Sequence, residues 1–181
     1  MTTSIFREFS ESDLQILKTR AERAARSQQD EGQVELLTVL SVAVGSEHYA
    51  LPIDSVSSVY EGLALTQVPC VPAGIAGITN VRGRIVLVLD MLVLLNAPGH
   101  SNIGGKEADN VLVTLADNEL DLALLVSSVS GVETVRASSI APVPDTLDAQ
   151  KVQHIRGLAE AGFALLDIAS LITDPRFSTA N

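Results

Sequence analysis

Few side chains in this sequence stand at the spacings that chemistry requires. His48, His100 and His154 fall in separate turns or loops, and none lies at metal-ligand spacing from another His, Cys or carboxylate. Cys70, the sole cysteine, sits in V-P-C-V-P with no basic neighbour to lower its pKa. It reads as a small apolar filler, and no intramolecular disulfide is possible. The same stretch matches P-x-x-P, a weak signal for recognition by another domain when it stands alone. Ser127 and Ser128 lack a G-x-S-x-G elbow. Asp117, Glu119 and Asp121 crowd one hairpin turn, where carboxylates point into water. N-I-G-G and V-R-G-R lack a P-loop lysine or a G-x-G-x-x-G context. The sequence therefore offers no catalytic residue, no metal site and no cofactor site. What stands out is Gly77–Asp90, G-I-T-N-V-R-G-R-I-V-L-V-L-D, where Arg82 and Arg84 flank Gly83. Between Gly32 and Gly105 there is no other Arg or Lys.

Two arginines beside a glycine, between apolar runs, imply a tight turn joining two strands. Asn80 is placed to satisfy backbone groups of that turn. If the segment is extended, Arg82 and Arg84 point to opposite faces. The more enclosed one, read as Arg82, needs a carboxylate or several carbonyls; Arg84 reads as a solvated strand residue. Arg82 then either staples the turn to its own domain or reaches a partner, and both roles can coexist.

The elements around the turn are short and β-rich. Strands are predicted at Val34–Val44, Tyr49–Ile53, Val56–Tyr60, Ile75–Thr79, Arg84–Leu89, Val111–Leu115, Leu120–Val126, Val129–Val135, Ile155–Glu160 and Phe163–Asp167. A helical turn is expected at Met91–Leu95 and a short helix at Ile168–Ile172. The segment before Gly32 differs. Ser10 with Asp13 resembles a capping box, and Leu14, Leu17, Ala21 and Ala24 share one helical face, so a helix is predicted over about Glu11–Gln29. Its stripe is narrow and rich in Ala; it docks on its own domain, on a partner helix, or not at all.

The formal charge of −10 argues against binding driven by nucleic-acid phosphates or anionic lipid. The apolar run Ile85–Leu89 is far too short to span a bilayer, and the N-terminus lacks the pattern of a signal peptide. The expected location is the cytoplasm. With 46% apolar residues but 3% aromatic, the core must be built from Val, Leu, Ile and Ala.

The first half of the β-region recurs. Laid hairpin on hairpin, Ala50, Leu51, Ile53, Val56 and Val59 fall on Ala123, Leu124, Val126, Val129 and Val132 at one constant offset. An apolar hairpin, an acidic turn and an alternating strand appear twice, which suggests two similar small β-barrels. The competing reading is that any two antiparallel hairpins look alike.

Y-A-L-P-I-D-S-V-S-S-V-Y-E, the stretch from Leu65 to Met91 containing the arginine turn, and I-R-G-L-A-E-A-G-F-A-L-L-D-I-A-S-L-I together resemble the CheW family of chemotaxis adaptors, over about Glu35–Thr173. The most specific part is G-I-x-N-x-R-G-x-I followed by an apolar strand ending in Asp. The resemblance implies an all-β fold: two packed SH3-like five-stranded β-barrels sharing an apolar core, here with an N-terminal α-helix and a short C-terminal helix. It divides the chain into a helical extension (1–32), a CheW-like domain (33–174) and a flexible tail (175–181). It implies a non-catalytic, cofactor-free scaffold coupling methyl-accepting chemoreceptor tips to the regulatory domain of a CheA-type histidine kinase, held at receptor arrays beneath the inner membrane by its partners. It also implies partner-binding roles for Asn80, Arg82 and Gly83 in the turn, Ile53, Val56 and Val59 in the first barrel, Val132 in the second, and Asp90 closing the strand.

The chain departs from the family pattern in places. Ser58 stands where many members carry a glutamate able to pair with the turn arginine, Ser127 where an aspartate is common, and Leu87 where proline is common. Other readings are a CheW-like module of another system, such as surface motility or gene regulation, and, from a different class, an enzyme or ligand-binding barrel. Neighbouring genes would distinguish the first; an enclosed pocket with convergent polar groups would support the second.

Overall fold

The structure, a computed structural model, describes residues 35–99, 110–116, 121–144 and 149–174. The helix expected over Glu11–Gln29, His100, Asp117, Glu119 and the tail 175–181 lie outside the described residues. Among the described residues there are eleven strands: β1 (Leu36–Val44), β2 (Glu47–Pro52), β3 (Val56–Glu61), β4 (Ile75–Val81), β5 (Arg84–Asp90), β6 (Val111–Leu115), β7 (Leu122–Val126), β8 (Ser128–Arg136), β9 (Ile140–Ala141), β10 (Ile155–Ala159) and β11 (Ala164–Leu166). Three short helices accompany them among the described residues: α1 (Met91–Leu94), α2 (Ala149–Val152) and α3 (Ile168–Ile172). Each strand expected from apolar alternation is found within the described residues, with ends that differ by a residue or two; Val34 and Leu120 lie outside them. Helix α2, the short strand β9 and the 3-10 turns Ile53–Ser55 and Ala137–Ser139 have no counterpart among the expected elements. They are too short to carry a period.

The strands form two sheets, in the orders β8-β1-β2-β11-β10-β9 and β3-β6-β7-β5-β4. The recurrence read in the sequence is a repeat of register. Leu40 faces Val132 and Leu51; at the equivalent place in the second sheet, Val113 faces Val59 and Leu124. The bulge beside Ser41 in the pairing of β1 with β8 has its counterpart between Val56 and Ser58, where β3 meets β6. The later pieces correspond too. Strand β5 runs parallel to β7, with Val88 beside Ala123, and β11 runs parallel to β2, with Leu165 beside Ala50. Five strands of one sheet therefore match the five of the other, and β9 is the sixth. Its counterpart is a single bridge between Thr66 and Ile78.

From its third strand onward, each half crosses to the sheet begun by the other's first hairpin. Strand β3 follows the β1–β2 hairpin yet pairs with β6; β8 follows the β6–β7 hairpin yet pairs with β1. Alternation gives each sheet two apolar faces. One face of each meets the other sheet in a shared core containing Leu40, Val42, Leu51, Leu89, Val113, Leu115 and Leu124, closed by Met91, Leu94 and Leu171 from the helices. The opposite faces hold smaller clusters of matching composition: Val39, Ala50, Phe163 and Leu165 in one sheet, Leu112, Ala123, Val86 and Val88 in the other. This is an all-β fold of two SH3-like halves around a common core. No helix among the described residues is long and apolar enough to cross a membrane.

Candidate partner interface

The arginine turn is a tight hairpin loop. Val81 and Arg84 close the β4–β5 ladder, leaving Arg82 and Gly83 at the tip. Both have positive φ, 53° and 86°, the pattern of a type I′ hairpin, whose twist suits the flanking strands. Gly83 adopts it freely. An arginine there carries a backbone cost of about 1 kcal/mol, since only Gly, Asn and Asp enter this region readily. The Gly83 N–H donates to Asn80 Oδ1 at 2.8 Å, so Asn80 does satisfy the turn's backbone.

The two arginines do not divide between opposite faces. The left-handed bend at Arg82 brings both to the rim of one shallow basin of about 200 Å³, lined also by Ser57, Ser58, Tyr60 and Asp121. Nor is Arg82 the enclosed, paired one; it is exposed. Arg84 holds the carboxylate, with Nη2 2.6 Å from Asp121 Oδ1 and Nε donating to Oδ2 at 3.1 Å. Asp121, expected to point into water, lies at the right place because β7 runs beside β5, where the Leu87 N–H donates to the Asp121 carbonyl at 2.8 Å. Arg82 has no carboxylate within ion-pair distance among the described residues. Its guanidinium lies 5.8 Å from the centroid of the Tyr60 ring, within cation–π range. Tyr60 belongs to β3 and Arg82 follows β4, the two edge strands of one sheet, so this side-chain contact links residues far apart in the strand order. Tyr60 is the residue that sequence reasoning missed; nothing in the local pattern links it to a turn on a later hairpin.

The other expected site residues are dispersed. Val59 on β3 and Val132 on β8 are exposed at 39% and 59%, at equivalent places on the outer strands of the two sheets. Ile53 and Val56 are half-buried and pack on the shared core. Asp90 is only 1% exposed; its Oδ1 accepts the Leu92 N–H at 2.9 Å and caps α1. It holds the end of β5 in place from within the fold and presents no surface to a partner. Cys70 is exposed, with φ of 61°, so it fills no apolar space.

Two polar clusters have no signal in the sequence. His154 Nε2 lies 2.8 Å from Asp174 Oδ2 and Nδ1 lies 3.2 Å from Ser170 Oγ, tying α3 to the start of β10. Lys151 Nζ sits 2.6 Å from Glu47, which also accepts the Tyr49 hydroxyl at 2.7 Å. Burial works to raise the Glu47 carboxyl pKa, but the Lys151 and Tyr49 hydrogen bonds and the lysine charge outweigh it and hold the group below its ordinary value. Burial, together with the Glu47 bond and charge, pushes the Tyr49 hydroxyl well up. This cluster edges an apolar cleft of about 420 Å³ between β2, α2 and the β10–β11 hairpin. Its charges are paired with one another. No group of three or more metal-ligating side chains converges among the described residues.

Comparison with known proteins agrees with this architecture. The CheW-like domain family model matches residues 38–176. The chemotaxis protein CheW of Klebsiella aerogenes is 27% identical over 137 residues, covering 74% of this chain and 80% of that protein. Protein FrzA of Myxococcus xanthus is 30% identical over 118 residues, covering 65% and 71%. The crystal structure of the scaffolding protein TtCheW from Thermoanaerobacter tengcongensis superposes with a TM-score of 0.66 at 21% identity, covering 81% of this chain and all of that one. With the arginine turn, the exchanged strands and a family match across both sheets, the chain belongs to the CheW-like family.

Proposed function

We propose that this protein is a non-catalytic chemotaxis adaptor that couples chemoreceptors to a CheA-type histidine kinase, working in the cytoplasm at receptor arrays. The observation that carries the reading is the CheW-like match across residues 38–176. The names of the relatives, chemotaxis proteins and a scaffolding protein, support it. The described residues hold no constellation that would favour catalysis.

The proposed partner surfaces are the turn Asn80–Gly83 and the outer strands carrying Val59 and Val132, with Ile53, Val56 and Asp90 positioning them from behind. A scaffold of this kind acts through a coupling free energy: binding at one surface alters affinity at another, reciprocally. A shared core between the sheets suits this, because packed interiors transmit displacement rather than absorb it. The test is calorimetric titration of the chain with the regulatory domain of its organism's CheA-type kinase, then with a receptor-tip fragment. Saturable binding to both, with either one changing affinity for the other, is expected. Binding to neither would sink the reading.

A further inference from the structure

The cleft of about 420 Å³ between β2, α2 and the β10–β11 hairpin has walls of Tyr49, Ile155, Leu158, Phe163 and Ala164. The fold does not require an apolar surface there. The corresponding place in the second sheet, beside the start of β7 and the β4–β5 hairpin, is the basin of about 200 Å³ whose walls include Ser57, Ser58, Arg84 and Asp121. Two halves that match strand for strand thus differ in this recess, apolar in the first and polar in the second. A contiguous apolar recess open to water marks a place where another apolar group docks.

The chain carries such a group close by. Beyond α3, Asp174 is buried, with its Oδ2 2.8 Å from His154 Nε2. His154 directly precedes Ile155, and its N–H donates to the Lys151 carbonyl at 3.2 Å; Ile155 and Lys151 both line the cleft. The segment that follows Asp174 therefore starts beside a cleft wall. Residues 175–181, which lie outside the described residues, read P-R-F-S-T-A-N. Phe177 is three residues past Asp174, within about 10 Å of extended chain before the length of its side chain is added. Charge fits too. Lys151 is already held by Glu47 at 2.6 Å. Glu160, between the lining residues Ala159 and Gly162, is exposed and makes no ion pair among the described residues. Residues 175–181 carry a single charge, the cation Arg176.

We infer that this cleft is the docking site of the chain's own segment 175–181, with the Phe177 ring against Tyr49, Leu158 and Phe163 and Arg176 at the acidic rim. Aromatic and aliphatic walls give an aromatic ring both contact area and favourable ring geometry. The Asp174–His154 contact shortens the loop that docking must close, so little chain entropy opposes it. Docked there, the segment keeps the apolar recess from other guests.

The chain has no tryptophan, so Phe177→Trp gives the full-length protein a sole indole reporter. Its emission is expected to be blue-shifted, with acrylamide quenching several-fold weaker than for free N-acetyltryptophanamide and unchanged on dilution. Leu158→Asp, which places a carboxylate on the cleft wall, should in the same background shift the emission to the red and restore quenching, while circular dichroism shows the fold retained. Arg176→Glu should raise quenching at low salt and less so at high salt. Removal of residues 175–181 should raise binding of the neutral dye Nile red several-fold, a readout that does not depend on Leu158→Asp folding. Solvent-like emission from Phe177→Trp overturns the inference. Blue-shifted emission that persists in folded Leu158→Asp also overturns it, because the segment then packs elsewhere. Emission that becomes solvent-like on dilution assigns the cleft to the segment of a second copy and overturns docking within one chain. Equal dye binding with and without residues 175–181 shows that they do not cover the cleft, and unchanged quenching in Arg176→Glu overturns the part given to Arg176.

Discussion

Asp90 and Asp167 hold the same station in the two halves of the fold: each follows a strand and accepts a backbone N–H from the helix after it. Asp90 Oδ1 takes the Leu92 N–H at 2.9 Å, and Asp167 Oδ1 takes the Ser170 N–H at 3.1 Å. Helices of four and five residues cannot persist on their own, so these caps fix how α1 and α3 close the shared core. Asp167→Ala should cost about 1 kcal/mol in urea unfolding. Asp90→Ala should cost more, because the Leu92 N–H loses its acceptor beside a fully buried side chain.

Two glycines near the candidate interface should respond differently to alanine. At Gly77, φ is 147° and a Cβ would overlap the Thr66 carbonyl oxygen, which is backbone and cannot swing aside. Gly77→Ala should destabilise by about 3 kcal/mol and loosen the loop that Thr66 pins to β4. At Gly83 there is open space for a Cβ and only the φ of 86° opposes it, so Gly83→Ala should cost about 1 kcal/mol. Equal costs in chemical denaturation would show that the Thr66 contact does not constrain the strand.

Stability should fall at both ends of the pH scale through one cluster. The Glu47 pKa is lowered in the fold, so its contribution is present above the ordinary value of 4.5 and is lost as pH falls through the folded value. The Tyr49 pKa is raised, so its contribution is complete below 10.0 and declines as pH rises beyond that. Glu47→Gln should flatten the acid limb of a stability–pH curve and leave the arginine turn's binding unchanged. An acid limb identical to wild type would remove Glu47 from the account.

Two side-chain contacts of similar length should differ widely in worth. His154 and Asp174 approach to 2.8 Å with both side chains 1% exposed, whereas Arg84 and Asp121 meet at 2.6 Å with exposures of 73% and 35%. Removing His154 takes a 2.8 Å partner from a buried carboxylate and leaves a cavity where a fully buried ring stood, so His154→Ala should cost about 3 kcal/mol. Arg84→Ala should cost under about 1 kcal/mol. Thermal melts of both variants in low and high salt would separate them.

The repeat was legible because alternation and hairpin spacing are local: Ala50–Leu51 and Ala123–Leu124 carry the same apolar pair at the same distance from the next alternating strand. Which sheet that next strand joins is not local, and neither Val56–Glu61 nor Ser128–Arg136 carries a mark saying that it crosses over. The turn was legible from Asn80 and Gly83, whose backbone roles are fixed by residue type. The pairing of its arginines was not. Asp121 reaches it through the parallel placement of β7 beside β5, and Tyr60 from the opposite edge strand, neither of which is local in the sequence. The resemblance to CheW supplied the functional class, which residue chemistry alone had narrowed only to binding.

The exchanged strands carry a consequence for how the chain can be divided. A cut between Gly99 and Asn110 would split both sheets, leaving one fragment with β1 and β2 of one sheet and β3, β4 and β5 of the other, and the second fragment with the rest of each. Neither piece could bury its apolar faces alone, so each should be unfolded or aggregated when expressed singly. Mixed together, they should reassemble into one non-covalent protein, as swapped protomers do between separate chains. A sequence that reads as two copies of one module would thus behave as a single indivisible folding unit, with no half able to lose its structure while the other keeps it.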